Sequence, residues 1–241
     1  MKTVIIIPAR FQSSRFPGKP LADLLGLPMI VHVWQKCVQA LDANLVYVAT
    51  DDDRIRDVCH SHGIQVVMTR SDCLTGTDRV FDASLQVQAD LYLNVQGDEP
   101  MLDPKDIQVV LDAAKQFPGE IINATSEIDN EIDYLSRTVP KVVARPDGRL
   151  LYMSRAPIPG NKAASFVTAH KQVCIYAFPP KALSDFASCQ QKTALEEIED
   201  IEILRFLELG YEVRMVPVSQ SSVAVDTPQD LERVRVLMQA V

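Results

Sequence analysis

The chain predicts an α/β fold, a three-layer, mainly parallel sheet of Rossmann-like type with a small inserted α+β lobe. Val4-Ile5-Ile6-Ile7 is an unbroken apolar run, the mark of a strand buried on both faces. Stretches of helical periodicity separate it from later runs of the same kind, and strands alternating with helices require right-handed crossovers. Pro28 opens a helix on which Met29, Ile30, Val33, Cys37 and Leu41 share one face. Leu45 to Ala49 is the next strand, Asp52 to His62 a polar helix stopped by Gly63, and Ile64 to Met68 a third strand. A helix from about Asp78 to Val87 leads into the fourth strand, Leu91 to Val95, and Asp103-Pro104 caps the helix after it. In the second half, Pro146-Asp147-Gly148 joins Lys141–Ala144 to Arg149–Met153 as a hairpin. Thr193 and Glu196 form a capping box for one long helix ending at Gly210, and Asp226-Thr227-Pro228 starts the last helix. The chain is read as a single domain over 1–241, with residues of about 130–190 as the inserted lobe.

Composition narrows the functional classes. With 241 residues, 47% hydrophobic and 23% charged, the chain is ordinary globular material, not a disordered or collagen-like one. A net charge of −8 argues against nucleic acid as partner, because phosphate backbones need a basic face. No apolar run approaches the roughly 20 residues of a membrane span, and the N-terminus lacks a signal-peptide core, so no membrane insertion is expected. The five cysteines are odd in number and contain no C-x-x-C pair, which suits free thiols in the cytoplasm. His60 and His62, just before Gly63, complement a helix C-terminus more simply than they bind a metal.

In an open parallel sheet, ligands bind at the carboxyl ends of the strands. Four segments stand there. Residues 8–20 follow the first strand and carry Arg10, Ser13, Ser14, Arg15, Gly18 and Lys19, a donor-rich basic loop in an acidic protein. Such a loop suits a polyphosphate through charge-assisted hydrogen bonds; a merely solvated basic loop is the plain alternative. It is neither a Walker A loop nor a G-x-G-x-x-G turn. Asn94-Val95-Gln96-Gly97-Asp98-Glu99-Pro100 places a carboxylate, Asp98, in the same cleft for an oxygen-loving ion such as Mg²⁺. Asp226 is the best-placed second carboxylate, although an acid before Thr227-Pro228 can simply favour a helix dipole. Thr75-Gly76-Thr77-Asp78-Arg79, a small hydroxyl-rich turn, either lines a base or ribose or only caps its helix.

Taken in order, Ile-Pro-Ala-Arg…Ser-Ser-Arg-Phe-Pro-Gly-Lys-Pro-Leu, Tyr-Val-Ala-Thr-Asp, Thr-Gly-Thr-Asp-Arg, Asn-Val-Gln-Gly-Asp-Glu-Pro and Val-Asp-Thr-Pro-Gln-Asp-Leu resemble the CMP-Kdo synthetases, the 3-deoxy-manno-octulosonate cytidylyltransferases. The resemblance runs from about Thr3 to Val236. It implies a nucleotidyltransferase fold, usually dimeric, that couples CTP to an acidic sugar with loss of pyrophosphate for lipopolysaccharide assembly. By matching positions it implies that Arg10, Arg15 and Lys19 hold the triphosphate, with Ser13 in the same loop, and that Ala9, Thr75, Gly76, Thr77 and Arg79 face the nucleoside. It further implies Mg²⁺ on Asp98 and Asp226, and a sugar surrounded by Gln96, Arg155, Tyr176 and Glu196. Arg15, Lys19, Asp98 and Asp226 then form the catalytic set.

Two departures bear on the sugar. The family's His-x-Gly-Ile-Tyr is here Gln172-Val173-Cys174-Ile175-Tyr176, and its Leu-Glu-Gln/His-Ile-Glu is Leu195-Glu196-Glu197-Ile198-Glu199. A possible cation is lost and a carboxylate gained, which favours an ammonium on the acceptor, as in 8-amino-3,8-dideoxy-manno-octulosonate. Neutral drift on an exposed helix start is the alternative. A CMP-sialate-type or other sugar nucleotidyltransferase is the nearest rival enzyme, and a nucleotide-binding regulatory module the rival outside enzymes. The retention of Asp98, Asp226 and all three loop cations speaks against the second. A phosphoacceptor built on Asp51-Asp52-Asp53 does not explain the basic loop.

Overall fold

β1 (Thr3–Pro8) is buried from end to end, as its β-branched run requires, and lies between two parallel neighbours. A computed structural model describes residues 1–13, 15–220 and 222–239, so Ser14 of the basic loop lies outside the described residues. The chain divides into two units, Met1–Gln108 with Ser221–Val241, and Val109–Gln220.

In the first unit, β1 is followed by a two-residue pairing of β2 (Asp23–Leu24) with β3 (Leu27–Pro28), and then by α1 (Met29–Ala40). Next come β4 (Val46–Thr50), α2 (Asp53–Ser61), β5 (Gln65–Met68), α3 (Gly76–Ser84) and β6 (Leu91–Val95). α4 (Pro104–Gln116) leads out of this run. β1 pairs in parallel with β4 through Ile5↔Val46 and with β6 through Ile5↔Leu93, and β5 extends the sheet beyond β4. Because these strands are parallel, the segments after β1, β4 and β6 leave the sheet at one edge, where a ligand is expected. α1 buries Met29, Ile30, Val31, Val33 and Cys37, the apolar face legible in its sequence. α9 (Pro228–Gln239) returns to this unit, burying Leu231 and Val234 against Leu24, Met29 and Val225.

The second unit is mixed. β7 (Ile121–Ile128) carries the hairpin of β8 (Lys141–Ala144) and β9 (Leu150–Ser154) indirectly, through β10 (Ala169–Phe178), which is antiparallel to both β7 and β8. β11 (Val213–Pro217) runs parallel to β7. α5 (Glu131–Leu135) and α6 (Pro180–Ala187) flank these strands in sequence. This unit runs from Val109 to Gln220: β11 pairs with β7, and β7 pairs with β10, the strand that also carries the hairpin.

One expected element is corrected. The single helix from Thr193 to Gly210 is two, α7 (Ala194–Glu199) and α8 (Ile203–Glu208), with Asp200 left-handed at φ 51° between them. The predicted capping box of Thr193 and Glu196 is present. The break falls where Glu199, Asp200 and Glu202 would crowd negative charge on a helix C-terminus, and Arg155 takes the freed carbonyls of Glu199 and Asp200 at 2.5 and 2.8 Å. No helix among the described residues is long and apolar enough to cross a membrane, and all five cysteines are free.

Candidate active site

Four residues from three chain-distant segments of the first unit converge. Phe11 to Gly18 is a closed loop: Gly18 N–H donates to the Phe11 carbonyl at 2.8 Å. Gly18 adopts φ +73°, a conformation that favours glycine, and a Cβ there would also press on the Phe11 ring at 3.1 Å. The 3-10 turn Lys19–Leu21 starts at once, which aims Lys19 back at the sheet edge. Lys19 Nζ donates to Asp98 Oδ2 at 2.8 Å, to the Val225 carbonyl at 2.9 Å and to Asp226 Oδ1 at 3.4 Å. Arg15 grips Asp226 with both terminal nitrogens, at 3.1 and 3.3 Å. Val225 N–H donates to the Asp98 carbonyl at 2.8 Å, fastening the two carboxylate-bearing segments together.

The glycine between Gln96 and Asp98 permits this approach. A Cβ on Gly97 would lie 3.1 Å from the Pro8 carbonyl and 3.2 Å from Ile30 Cδ1, so a side chain there would crowd the backbone where β1 and β6 end. Asp226 is not the cap of α9. Thr227 Oγ1 accepts from Asp230 N–H at 3.2 Å while Asp230 accepts from Thr227 N–H at 2.8 Å, a reciprocal cap that leaves the Asp226 carboxylate to the cations. Burial by itself would lower the Lys19 pKa, but Asp98 and Asp226 outweigh it and hold the ammonium above its ordinary value. Asp98 and Asp226, converging on one cation, give the pair of hard oxygen donors that Mg²⁺ takes from a protein when phosphates and water complete its shell. Among the described residues no group of three or more His, Cys, Asp or Glu side chains could hold a metal by itself.

The other nucleotide-side residues divide. Ala9 is buried and hydrogen-bonded to Ala49; Arg10 is exposed, with no ion pair among the described residues. Ser13 Oγ accepts from Phe16 N–H at 3.4 Å inside the loop. Thr75 caps α3 by accepting from Asp78 N–H, and Gly76 lies directly against the Gln96 amide. Thr77 is buried. Arg79, expected at the nucleoside, has a buried guanidinium that braces the ends of β4 and β5. It reaches Asp51 at 3.2 Å, Thr69 Oγ1 at 2.5 Å and the Arg70 carbonyl at 3.4 Å, shaping the turn from behind.

Of the expected sugar residues, Gln96 belongs to the first unit and the rest to the second. Arg155 is half-buried, its guanidinium donating to the carbonyls of Glu199, Asp200 and Arg137. Gln172 Nε2 donates to Asn123 Oδ1 at 3.0 Å, and Asn123 in turn holds the carbonyls of Val173 and Ile175 across the bulge of β10. Tyr176 is buried and stacked on Phe178. Glu197 is exposed on the first turn of α7. Glu196, also expected at the sugar, is fully buried, and Arg205 Nε and Nη2 take its two oxygens at 2.6 and 2.7 Å. Sequence reasoning missed Lys141, a charge fully buried on β8, because its position in a short apolar strand gives no sign of the carbonyls that meet it.

The cytidylyltransferase family profile matches residues 4–215. The chain belongs to the cytidylyltransferase family. This cytidylyltransferase is 38% identical to the 3-deoxy-manno-octulosonate cytidylyltransferase of Escherichia coli over 98% of its own length and 96% of the relative's. It is 40% identical to the 8-amino-3,8-dideoxy-manno-octulosonate cytidylyltransferase of Shewanella amazonensis, with 97% of each covered. Among solved structures, that of a CMP:2-keto-3-deoxy-manno-octonic acid synthetase complexed with CTP matches with a TM-score of 0.92 and 37% identity, covering 100% of this chain and 99% of the other. The expected α/β nucleotidyltransferase-like fold, mostly parallel strands flanked by helices, is thus the fold of the family.

Proposed function

We propose that the protein activates a 3-deoxy-octulosonic acid by transfer of a cytidylyl group from CTP, releasing pyrophosphate and supplying the donor sugar for lipopolysaccharide assembly. The observation that carries this reading is the convergence of Arg15 and Lys19 with Asp98 and Asp226 at the end of β6. In the reaction the anomeric hydroxyl attacks the α-phosphorus, the bond to the bridging oxygen breaks, and the electron pair leaves with pyrophosphate. No covalent intermediate on the protein is needed, only alignment and stabilisation of charge. Arg15 and Lys19, on a loop closed by Phe11 and Gly18, suit the negative charge that builds on the leaving pyrophosphate. The aspartates that now neutralise these cations are the proposed holders of Mg²⁺, so nucleotide and metal would exchange partners with one preformed cluster. Mg²⁺ held by Asp98 and Asp226 would lower the pKa of the attacking hydroxyl and offset charge at the α-phosphate.

Gln96, Arg155, Gln172, Tyr176 and Glu197 are the proposed sugar-side residues. The exposed carboxylate of Glu197 supports an amino-substituted acceptor, while relatives named for the plain and the amino sugar share similar identity with this chain. We place the enzyme in the cytoplasm, in keeping with its free thiols. We also propose a homodimer, supported by large apolar side chains such as Ile132, Val167 and Ile198 that stand exposed on the second unit.

Pyrophosphate release, assayed with each nucleoside triphosphate and with Kdo or 8-amino-Kdo, tests the assignment. CTP with Mg²⁺ and one of these sugars is expected to turn over, and release with neither sugar would refute it. The ratio of kcat/KM for the two sugars in competition decides the acceptor.

A further inference from the structure

One fully buried charge of the second unit is not used by the proposed chemistry. Lys141, at the start of β8, is fully buried, and its ammonium donates to three backbone carbonyls: Ser136 at 2.6 Å, Val139 at 2.7 Å and Arg155 at 2.8 Å. An ammonium has three donors, so all are engaged and none faces solvent. Two of the acceptors bracket Arg137 on the segment before β8; the third is the carbonyl of Arg155 itself, just past β9. Arg155 Nη1 in turn donates to the Arg137 carbonyl at 3.0 Å. Lys141 therefore holds the backbone on both sides of the Arg155–Arg137 contact.

The remaining contacts of Arg155 fix the other edge of its guanidinium. Nε and Nη2 donate to the carbonyls of Glu199 and Asp200, and the Glu199 carboxylate receives Arg155 N–H at 2.8 Å and Ser154 Oγ at 2.6 Å. Of five guanidinium N–H groups, three are thereby committed to backbone carbonyls. One N–H on Nη1 and one on Nη2 remain, a fork suited to a carboxylate, with the Asp200 carboxylate 3.8 Å from Nη2.

We infer that Lys141 is a positioning residue for the sugar acid: its ammonium sets the backbone on which Arg155 is presented to the acceptor's carboxylate. This rests on the reading of Arg155 as a sugar-side residue. Burial, with the Arg155 charge adding to it and Glu199 opposing, pushes the Lys141 pKa down to about 8. Charged groups on the segments packed around the ammonium include Arg137, Arg155, Glu199 and, across the β10 pairing, Lys171. Against burial, hydrogen bonds from Ser154, Arg155 N–H and Tyr152 hold Glu199 below the ordinary carboxylate value.

The test is steady-state kinetics with Kdo, which carries no group titrating near pH 8. Lys141→Met is expected to raise the KM for Kdo about tenfold, with the KM for CTP changed less than about twofold and kcat less than about threefold. In the unmodified enzyme the KM for Kdo is expected to rise between about pH 7.5 and 9 while the KM for CTP stays level, a readout that does not depend on the variant folding. A KM for Kdo that stays flat with pH and is unmoved in Lys141→Met overturns the inference. Arg155→Ala separates the two layers. If it raises the KM for Kdo while Lys141→Met and pH do not, the role of Lys141 alone is wrong. If it leaves that KM unchanged, Arg155 is not a sugar residue and both fall.

Discussion

A Cβ on Gly76 would stand 2.7 Å from Gln96 Nε2, so the first residue of α3 and the amide after β6 occupy adjoining space with no room for a methyl group. The obstacle is the tip of a flexible side chain, and Gly76 has no positive φ, so alanine would displace the Gln96 amide and leave the backbone in place. Alanine also has the better helix propensity. Gly76→Ala is therefore expected to keep or slightly raise Tm while lowering kcat/KM about tenfold, about 1.4 kcal/mol of transition-state stabilisation. A parallel loss of Tm and activity would mean that the glycine serves the fold and not the site.

Asp98→Asn and Asp226→Asn remove charge at nearly constant shape. The Arg15–Asp226 pair is partly exposed, and pairs of that kind contribute about 0–1 kcal/mol. At the more buried Lys19, each change leaves the other aspartate and the Val225 carbonyl as partners. Tm is thus expected to move by only a few degrees. If both aspartates hold Mg²⁺, each change lowers kcat by about a hundredfold or more and raises the Mg²⁺ concentration needed for half-maximal rate. Tryptophan fluorescence or calorimetric titration with Mg²⁺ and a non-hydrolysable CTP analogue gives a readout apart from turnover. Normal turnover in Asp98→Asn would refute the metal assignment.

The parallel half of the molecule was legible because its signals are local. Val4 to Ile7, the α1 stripe and the closing Gly63 each report burial or a stop within a few residues. The convergence of Arg15, Lys19, Asp98 and Asp226 was also legible, since each follows or precedes an element whose end the sheet topology fixes. What sequence did not carry is where polar groups turn inward. Glu196 and Glu197 are neighbours with the same side-chain chemistry, yet one is sealed against Arg205 and the other is exposed. That difference is set by α8 folding back through Asp200, a non-glycine left-handed residue that no turn motif announces. Arg79 and Lys141 were hidden for the same reason: their partners come from other elements.

The Glu196–Arg205 pair makes its own prediction. Both side chains are almost completely buried, and Arg205 also donates to the Phe186 carbonyl and lies 3.7 Å over the Phe186 ring. Removing one partner strands a buried charge, a loss of about 3–5 kcal/mol. Arg205→Met is therefore expected to unfold at markedly lower urea concentration, and Glu196→Leu with Arg205→Met to recover part of the loss. In folded Glu196→Gln, the KM for the sugar acid is expected to stay within about twofold of the original. A large rise in that KM at unchanged stability would return Glu196 to the sugar site.

Glu199 predicts the direction of acid sensitivity. Burial raises its pKa, but hydrogen bonds from Ser154, Arg155 N–H and Tyr152 outweigh burial and hold it below its ordinary 4.5. A carboxyl group depressed in the folded state stabilises the fold above its unfolded value and loses that contribution as pH falls through the folded one. Glu199→Gln deletes the titration and keeps an acceptor oxygen, so the Tm gap between the enzyme and this variant isolates the one group. The gap is expected to be level from neutral pH down to about 5 and to close below about 4.5. Lys141 acts with the opposite slope at the alkaline end. Its folded value of about 8 lies below the ordinary 10.5, so the unfolded chain binds more protons between them and stability from this group rises with pH there. The same alkaline range in which Arg155 is expected to lose its hold on the sugar is therefore one in which this buried lysine makes the fold more stable. Weaker sugar binding at high pH thus cannot be ascribed to the Lys141 titration loosening the protein as a whole, and Tm measured beside KM across that range separates the two effects.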